Sequence, residues 1–500
     1  MSRYLSTRLS EEDRPLSFYP TGFCDLTVTP HDASDEDMQF GGPEAREKLE
    51  KSLLKKLDLR MGILIVIYIL NYIDRNNAAA ARLRGFEEDL GLEGSQFASI
   101  LSILYVGYIL MQIPSNMFLS QISRPSIYLP FCMMPLFSYH GALFARFVLG
   151  FVEAAFFPGA LYLIARWYKR NELSRRTAYL TCGSLISNAF GSLIASGILD
   201  LMEGTWGYAA WRWLFFIEGG VTVLVAVVAL FILPDFPEIE TISWLSPAEH
   251  ALAKWRMIEE NGGVSPAKPI TESEQDLPKR NDAIAGLMLA VMDWKVYYLA
   301  IGLFLYALSL SFHLYFPTLT ATMGYGPIIS LLLCVPPWMV ATAFALWLSN
   351  HSDKTGDRCM HIVSALAIGT LGFLLSMLTM NIAVRYFSMF LMAQMFAGFI
   401  CYLAWASSTV SNPPTKRATG LALINTISQS GNIVGSYVWV KGWGPTYIKS
   451  YTICIVAAVG CASMCFWLRS TLRRLNIEMD EEDERSGVAS DKTGKWRYHT

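Results

Sequence analysis

Charge is scarce in this chain: only 16% of its 500 residues are Asp, Glu, Lys or Arg, where a soluble globular protein carries about a quarter. A soluble chain of this length would also divide into several domains with polar surfaces. Cysteine shows no pattern. Most of the nine lie inside apolar stretches, Cys182, Cys334, Cys401, Cys454, Cys461 and Cys465 among them. Their spacing fits neither a zinc nor a redox motif, which excludes a disulfide scaffold and leaves them as small buried hydrophobes. No excess of one sign exists either: 40 basic against 42 acidic residues give a formal charge of −2, with no general pull toward nucleic acid. No basic n-region followed by an apolar h-region opens the chain, so no cleaved signal peptide is expected. A metal constellation, a G-x-S-x-G nucleophile elbow and a phosphate loop are all missing, so neither an enzyme nor a cofactor is expected. Period-two alternation, the mark of a membrane barrel, is absent as well.

What is present is apolar length. Hydrophobic residues make up 53% of the chain and mean hydropathy is +0.34. A spanning helix takes about 20 apolar residues, and helices are required because a lipid-facing backbone must satisfy its own hydrogen bonds. The expected spans are 61–81, 97–119, 125–139, 141–165, 177–199, 211–233, 296–319, 327–349, 361–380, 384–406, 418–438 and 450–468. Basic residues crowd alternate loops (Lys51 to Arg60, Arg166 to Arg176, Lys254 to Arg280, Lys354 with Arg358, Lys416 with Arg417, Arg469 to Arg474), whereas 200–210 and 320–326 hold none. This asymmetry places both termini in the cytosol. The expected architecture is therefore an all-α membrane protein of twelve spans. A polar tail (1–50, disordered) precedes a six-helix half (51–233). A cytosolic middle loop (234–294) leads to a second six-helix half (295–475) and a disordered tail (476–500). Within the loop, Ser246-Pro247-Ala248-Glu249 has the form of a capping box with Pro at the first helical position, predicting an amphipathic helix to about Glu260. Spans 3 and 4 are short of chain. Residues 125–165 supply roughly 61 Å of helix at 1.5 Å per residue, and two crossings of about 30 Å leave no turn. With Pro130 and Pro135 also present, a truncated third span is predicted.

Three runs carry a family resemblance. Asn71-Tyr72-Ile73-Asp74-Arg75-Asn76-Asn77 closes span 1, Arg146-Phe147-Val148-Leu149-Gly150-Phe151-Val152-Glu153 and on to Gly159 forms span 4, and Trp211-Arg212-Trp213-Leu214-Phe215-Phe216-Ile217-Glu218-Gly219 opens span 6. Over about 51–475 the chain resembles the major facilitator superfamily, anion:cation symporter group, in the fungal allantoate permease and nicotinic acid permease branch. The resemblance implies the twelve-span major facilitator fold, Glu153 as the proton-coupling carboxylate and Arg146 as its cationic neighbour. The superfamily's loop signature is kept in part after span 8, by Asp353, Lys354, Gly356 and Arg358, which implies a conformational gate loop there; after span 2 the run Leu119 to Pro125 lacks the acid. Span 5 has no Gly-Pro signature of drug:proton antiporters, which favours an importer.

Intramembrane charges cost about 2.5–3.5 kcal/mol each on insertion scales, so they need partners or water and are the first functional candidates. Asp74 and Arg75 are adjacent and diverge by about 100° on a helix, so both cannot bury against one partner. Arg75 is suited to an anionic substrate because its planar fork binds carboxylate, with Asn71 of the same run beside it and Asp74 as a second proton carrier. The competing reading is an inter-helix ion pair. Arg146, a further candidate for substrate binding, and Glu153, seven apart, share a face but cannot pair with each other. A carboxylate balanced between burial and a nearby arginine can load and release a proton, or the two can be a structural link between spans 1 and 4. Span 11 aligns Asn425, Ser428, Gln429, Asn432 and Ser436 in one polar stripe, which must face a cavity, where the amides of Asn425, Gln429 and Asn432 would bind substrate, or another helix. His313 is a lone histidine in span 7, read as a substrate contact or a packing residue, and Trp405 in span 10 as a stacking platform or an interfacial anchor. Ser184, Asn188 and Ser192 of span 5, and Arg212 and Glu218 of span 6, are read as structural. Asn350-His351-Ser352 matches a glycosylation sequon but lies on the expected cytosolic side.

The expected function is proton-coupled symport of a small organic anion such as nicotinate, pantothenate or allantoate, by alternating access, in a monomer at the plasma membrane, with the vacuolar membrane as alternative. Two other readings share these residues: an exporter of a fungal secondary metabolite, and a transport-defective or receptor-like relative with a shortened span 3.

Overall fold

The computed structural model describes residues 42–119, 139–154, 156–234, 244–260, 285–410 and 414–485, and among them every regular element is helical. The chain forms two compact units, Met1–Ser52 and Leu53–Thr500. The described part of the first is the start of a long helix, Pro43–Ala81, where Lys51 and Glu47 pair one turn apart at 2.6 Å. The second unit carries all that follows.

Eight described helices, those of spans 4 to 10 and 12, are long and apolar enough to cross a membrane; the helices of spans 1, 2 and 11 are placed by their position in the chain. Span 1 is the later part of Pro43–Ala81, span 2 is Gln96–Leu119, span 5 lies in Arg170–Leu201, span 6 is Ala210–Ile232, span 8 is Pro327–Thr355, span 9 is Arg358–Leu378 and span 11 is Pro414–Ser436. The truncated third span falls on residues outside those described. Span 4 is two helices, Tyr139–Glu153 and Phe156–Trp167, so Glu153 ends a helix within the span. Span 7 is also broken: an α-helix (Trp294–Ser309) gives way to a 3-10 stretch (Leu310–Tyr315) before a last helical turn with Pro317 near its start. A 3-10 segment in mid-span frees backbone groups that something else must satisfy. Span 10 pauses at Gln394 between Ile382–Ala393 and Met395–Thr409. The last helix runs Ile448–Arg485, past the expected boundary at 475, because its charged end still closes i,i+4 pairs such as Arg485 with Glu481.

Span 6 shows how the bundle is organised. Trp211, Leu214 and Glu218, at helical spacing, are buried, while Leu224, Val227 and Phe231 are exposed where lipid would lie. Spans 2 and 4 come closer than side chains allow. A Cβ on Gly107 would stand 2.2 Å from the Phe147 carbonyl oxygen, and one on Gly150 would stand 1.9 Å from that of Leu104. Reciprocal glycines let two backbones touch, the usual means of tight helix association in lipid.

Two seams join the first six spans to the last six: span 2 packs on span 11, and span 5 on span 8. A shift of six spans exchanges these pairs, as expected of a chain built from two repeats. On the face poor in basic residues, Tyr437 of span 11 shares hydrogen bonds with Ser99 (3.0 Å) and Ser102 (3.2 Å) of span 2, and Lys441 reaches Glu87 at 3.2 Å. Arg82 lies over the rings of Phe97 and Tyr315, which meet edge to face. On the basic face, the predicted middle-loop helix is present as Pro247–Glu260. The Ser246 amide donates to Glu249 at 2.9 Å, and the Glu249 amide donates to the Ser246 hydroxyl at 3.2 Å. Lys56–Glu249, Lys169–Glu259 and Arg256–Glu172 pairs fasten this helix to the first-half bundle. Nearby, burial and the Asp58 carboxylate it donates to push the Tyr168 hydroxyl well above the ordinary phenol range, so it stays a donor at any physiological pH.

Candidate functional site

The adjacent charges of span 1 diverge as helix geometry requires. Arg75 turns to span 4, where its Nε donates to Glu153 Oε2, and its guanidinium stacks over the rings of Tyr72 and Tyr108 at 4.9 Å each. Asp74 turns to span 6 and accepts the Thr222 hydroxyl at 3.0 Å. Among the described residues Arg146 pairs with no carboxylate directly. Its Nη1 donates at 3.0 Å to the backbone carbonyls of both Asp74 and Arg75, stitching span 4 across span 1, and its Nη2 has no partner among the described residues. Arg146 and Glu153 thus share a face without pairing, and Glu153 is held by Arg75. Asn71 is buried on the same helix.

Glu218, read from sequence as structural, belongs to this cluster. It is buried to 4%, on the inward stripe of span 6, and charge interactions link it to Asp74 and Arg146. Its position in phase with Trp211 and Leu214 was the available signal. Three carboxylates (Asp74, Glu153, Glu218) and two guanidiniums (Arg75, Arg146) therefore share one buried region. Fully ionised, the cluster would carry one net negative charge in a low-dielectric setting, which is costly.

Beside the cluster lies a small cavity of about 30 Å³, room for about two waters at 10–15 Å³ each. Its walls come from both halves: Asn76 and Asn77 of span 1, Asn188 and Ser192 of span 5, His313 and Pro317 of the broken span 7, and Trp338 of span 8. Asn76 donates to Asn188 at 2.8 Å. Asn77 lines the cavity and also faces Asp74 and Glu218, so it is the contact between cavity and charges. His313 Nδ1 lies 2.7 Å from the Leu310 carbonyl. A carbonyl only accepts, so Nδ1 carries the hydrogen. The 3-10 break puts His313 on the cavity wall, with Phe396 edge-on behind it.

Other expected residues lie elsewhere. Trp405 is fully buried edge-on to Tyr402 within the second-half helices and is not among the cavity's walls, nor is it at an interface. The span 11 amides bond along their own helix: Asn432 donates to Gln429 at 2.8 Å and Gln429 to Asn425 at 3.4 Å, while Ser428 and Ser436 are buried. They stand apart from this cavity's walls too. Asn188, placed with packing residues by its weak stripe, and Trp338, which no sequence signal marked, are on the walls instead.

After span 8, Gly356 takes φ +69° to end the helix, a left-handed conformation that suits glycine. Asp357 then caps the next helix by accepting the Met360 amide. Arg358 donates to the Ala404 carbonyl and to Ser408, lies 3.7 Å from Asp353, and Asp357 pairs with Arg469 at 2.5 Å, while Lys354 is exposed. The loop is thus tied to spans 10 and 12, and Asp357 rather than Asp353 holds its strongest pair.

Comparison with known proteins agrees with this layout. The chain is 32% identical over 437 residues to the MFS-type transporter cnsO of Penicillium expansum, covering 82% of this chain and 80% of that one. It is 24% identical over 482 residues to the major facilitator-type transporter hxnP of Emericella nidulans, covering 90% and 93%. Among solved structures, a bacterial homolog of the human lysosomal transporter Spinster in an inward-facing, unoccupied conformation matches with TM-score 0.62 at 17% identity, over 82% of this chain and 96% of that chain. The xylose transporter XylE from E. coli matches with TM-score 0.55 at 15% identity, over 80% and 96%. At such identities these structures share the fold alone. The family model for the Major Facilitator Superfamily matches residues 64–436, and with the broken spans, paired seams and buried charge cluster, this chain belongs to that superfamily: it is a multi-pass membrane transporter, not an enzyme.

Proposed function

We propose that the protein is a proton-coupled symporter of a small organic anion. The carrying observation is the buried Arg75–Glu153 pair, next along the chain to Asn76 and Asn77 of a cavity whose walls come from both halves and include neither member of the pair. While Glu153 is ionised, it holds the guanidinium. Protonating Glu153 removes that charge, leaving Arg75 free to accept a carboxylate through its fork. Proton and anion then occupy the site together, and their combined preference for one facing state supplies the bias for alternation. Asp74 is a second proton carrier, Arg146 holds spans 1 and 4 in register, and Asn76, Asn188 and His313 supply the polar contacts of the substrate. Asn71, Asn425, Gln429 and Asn432 form a reserve of amides that an opened cavity would reach. The loop of Asp353, Lys354, Gly356 and Arg358 gates the basic face, which is cytosolic. The protein works as a monomer at the plasma membrane.

The test is uptake of labelled nicotinate, pantothenate and allantoate into proteoliposomes under an imposed pH gradient. The expected outcome is accumulation of at least one of them, collapsed by a protonophore. Glu153→Gln is expected to keep exchange of substrate across the membrane while losing accumulation. A Glu153→Gln protein that still concentrates substrate when driven by pH would refute the coupling role.

A further inference from the structure

The three-to-two count of carboxylates to guanidiniums leaves one acid without a counter-charge. Arg75 is committed to Glu153 by a direct hydrogen bond. Arg146 spends Nη1 on two carbonyls and is the remaining cation for both Asp74 and Glu218. Thr222 meets the side chain of Asp74 but only the backbone of Glu218. Its hydroxyl stands 3.0 Å from Asp74 Oδ2 and 3.0 Å from the Glu218 backbone carbonyl, and it has a single proton to donate. Donation to Asp74 favours the ionised form of Asp74. Glu218 is treated in the opposite way. Among the described residues neither of its side-chain oxygens has a hydrogen-bond partner of ordinary geometry, a setting that a neutral carboxyl tolerates and an anion does not. The charged groups facing it are Asp74 from span 1 and Arg146 from span 4, with the Asn77 amide as the facing neutral group.

We propose that Glu218 of span 6 is a further proton-holding residue of the transport site: it carries the proton of the Asp74–Glu218 pair in the conformation seen here and gives it up during the cycle. Asn77, which faces both acids and lines the cavity, positions the pair at the edge of the substrate path. The coupling part of this assignment rests on the symport reading above; the location of the proton does not.

Two measurements test it on the full-length protein in proteoliposomes. The first needs no substrate. Infrared spectra at neutral pH are expected to show the C=O stretch of a buried protonated carboxyl, which Glu218→Gln removes and Glu218→Asp keeps. The second uses whichever of labelled nicotinate, pantothenate or allantoate the wild type accumulates. Glu218→Gln is expected to lose pH-driven accumulation while retaining counterflow exchange, and Glu218→Asp to retain both. A protonated-carboxyl band that survives in Glu218→Gln places the proton elsewhere and overturns the assignment. Undiminished accumulation by Glu218→Gln shows an inert proton, and loss of exchange together with accumulation shows a merely structural residue; either result overturns the coupling role. A wild type that accumulates none of the three probes overturns that role along with the symport reading, whereas the infrared result then still decides where the proton sits.

Discussion

Arg75 does two things that only arginine does well. It keeps a fork toward Glu153 while its flat face lies on two tyrosine rings. Lysine would keep the charge but lose both the planar donor geometry and the stacking area. Arg75→Lys is therefore expected to leave the protein folded and to raise the KM for a carboxylate substrate about tenfold, the equivalent of ~1.4 kcal/mol, measured as concentration-dependent uptake into proteoliposomes. An unchanged KM would mean that Arg75 never meets the substrate. The single-residue scale is also where sequence reading reached its limit. The divergence of Asp74 and Arg75 followed from helix geometry, so their separate partners were legible. The identity of those partners was not, because Glu153 lies 78 residues from Arg75, and Thr222 and Glu218 lie 148 and 144 residues from Asp74 along the chain. Glu218 looked structural for the same reason: one acid near the start of a span says nothing until its neighbours are known to be another acid and a shared arginine.

Individual helices were legible wherever the signal was local. The Ser246–Glu249 box and the Pro at the first helical position specified where the middle-loop helix starts. The break in span 7 was not drawn, although Pro317, which lacks an N–H and crowds the carbonyl four residues before it, follows the 3-10 stretch Leu310–Tyr315, where His313 closes on the Leu310 carbonyl. The span 11 stripe was legible as a stripe, but its amides had the option of bonding along their own helix and took it. The contact of spans 2 and 4 carries the clearest prediction at this scale. Gly150 has no room for even one methyl, with the Leu104 carbonyl where a Cβ would go. Gly150→Ala is expected to push the two helices apart and cost about 1–3 kcal/mol as an overpacked contact, read as a lowered Tm of the detergent-purified protein. Gly197→Ala, inside the helix Arg170–Leu201 where a Cβ meets nothing, is the matched control and is expected to keep or slightly raise Tm, since alanine favours the helix over glycine.

For the transporter as a whole, the closed face and the paired seams belong to one equilibrium. Spans 2 with 11 and 5 with 8 remain in contact, and what distinguishes one facing state from the other is which end of these seams is fastened. Here the face poor in basic residues is fastened by two chemically different devices. Tyr437 bridges Ser99 and Ser102 through neutral hydrogen bonds, and Lys441 reaches Glu87 as an exposed ion pair, with the lysine side chain 75% accessible. An exposed pair is worth about 0.2–1 kcal/mol and is screened by salt, whereas neutral hydrogen bonds are worth about 0.5–1.5 kcal/mol and do not depend on ionic strength to first order. Both Tyr437→Phe and Lys441→Ala are thus expected to raise the population open on this face, by up to about tenfold and about fivefold respectively at low salt. Raising the salt concentration opens the wild type to the level of Lys441→Ala and erases the difference between them, while the Tyr437→Phe effect persists. Spin labels on cysteines introduced at Glu93 and Gly442, both exposed, read the distance across the closing face in each variant, and the buried positions of the described native cysteines keep them out of the labelling. If salt abolishes both effects equally, or neither, then the two contacts do not act as separate fasteners and the closure must be held by the ring cluster of Phe97, Tyr315 and Arg82 instead.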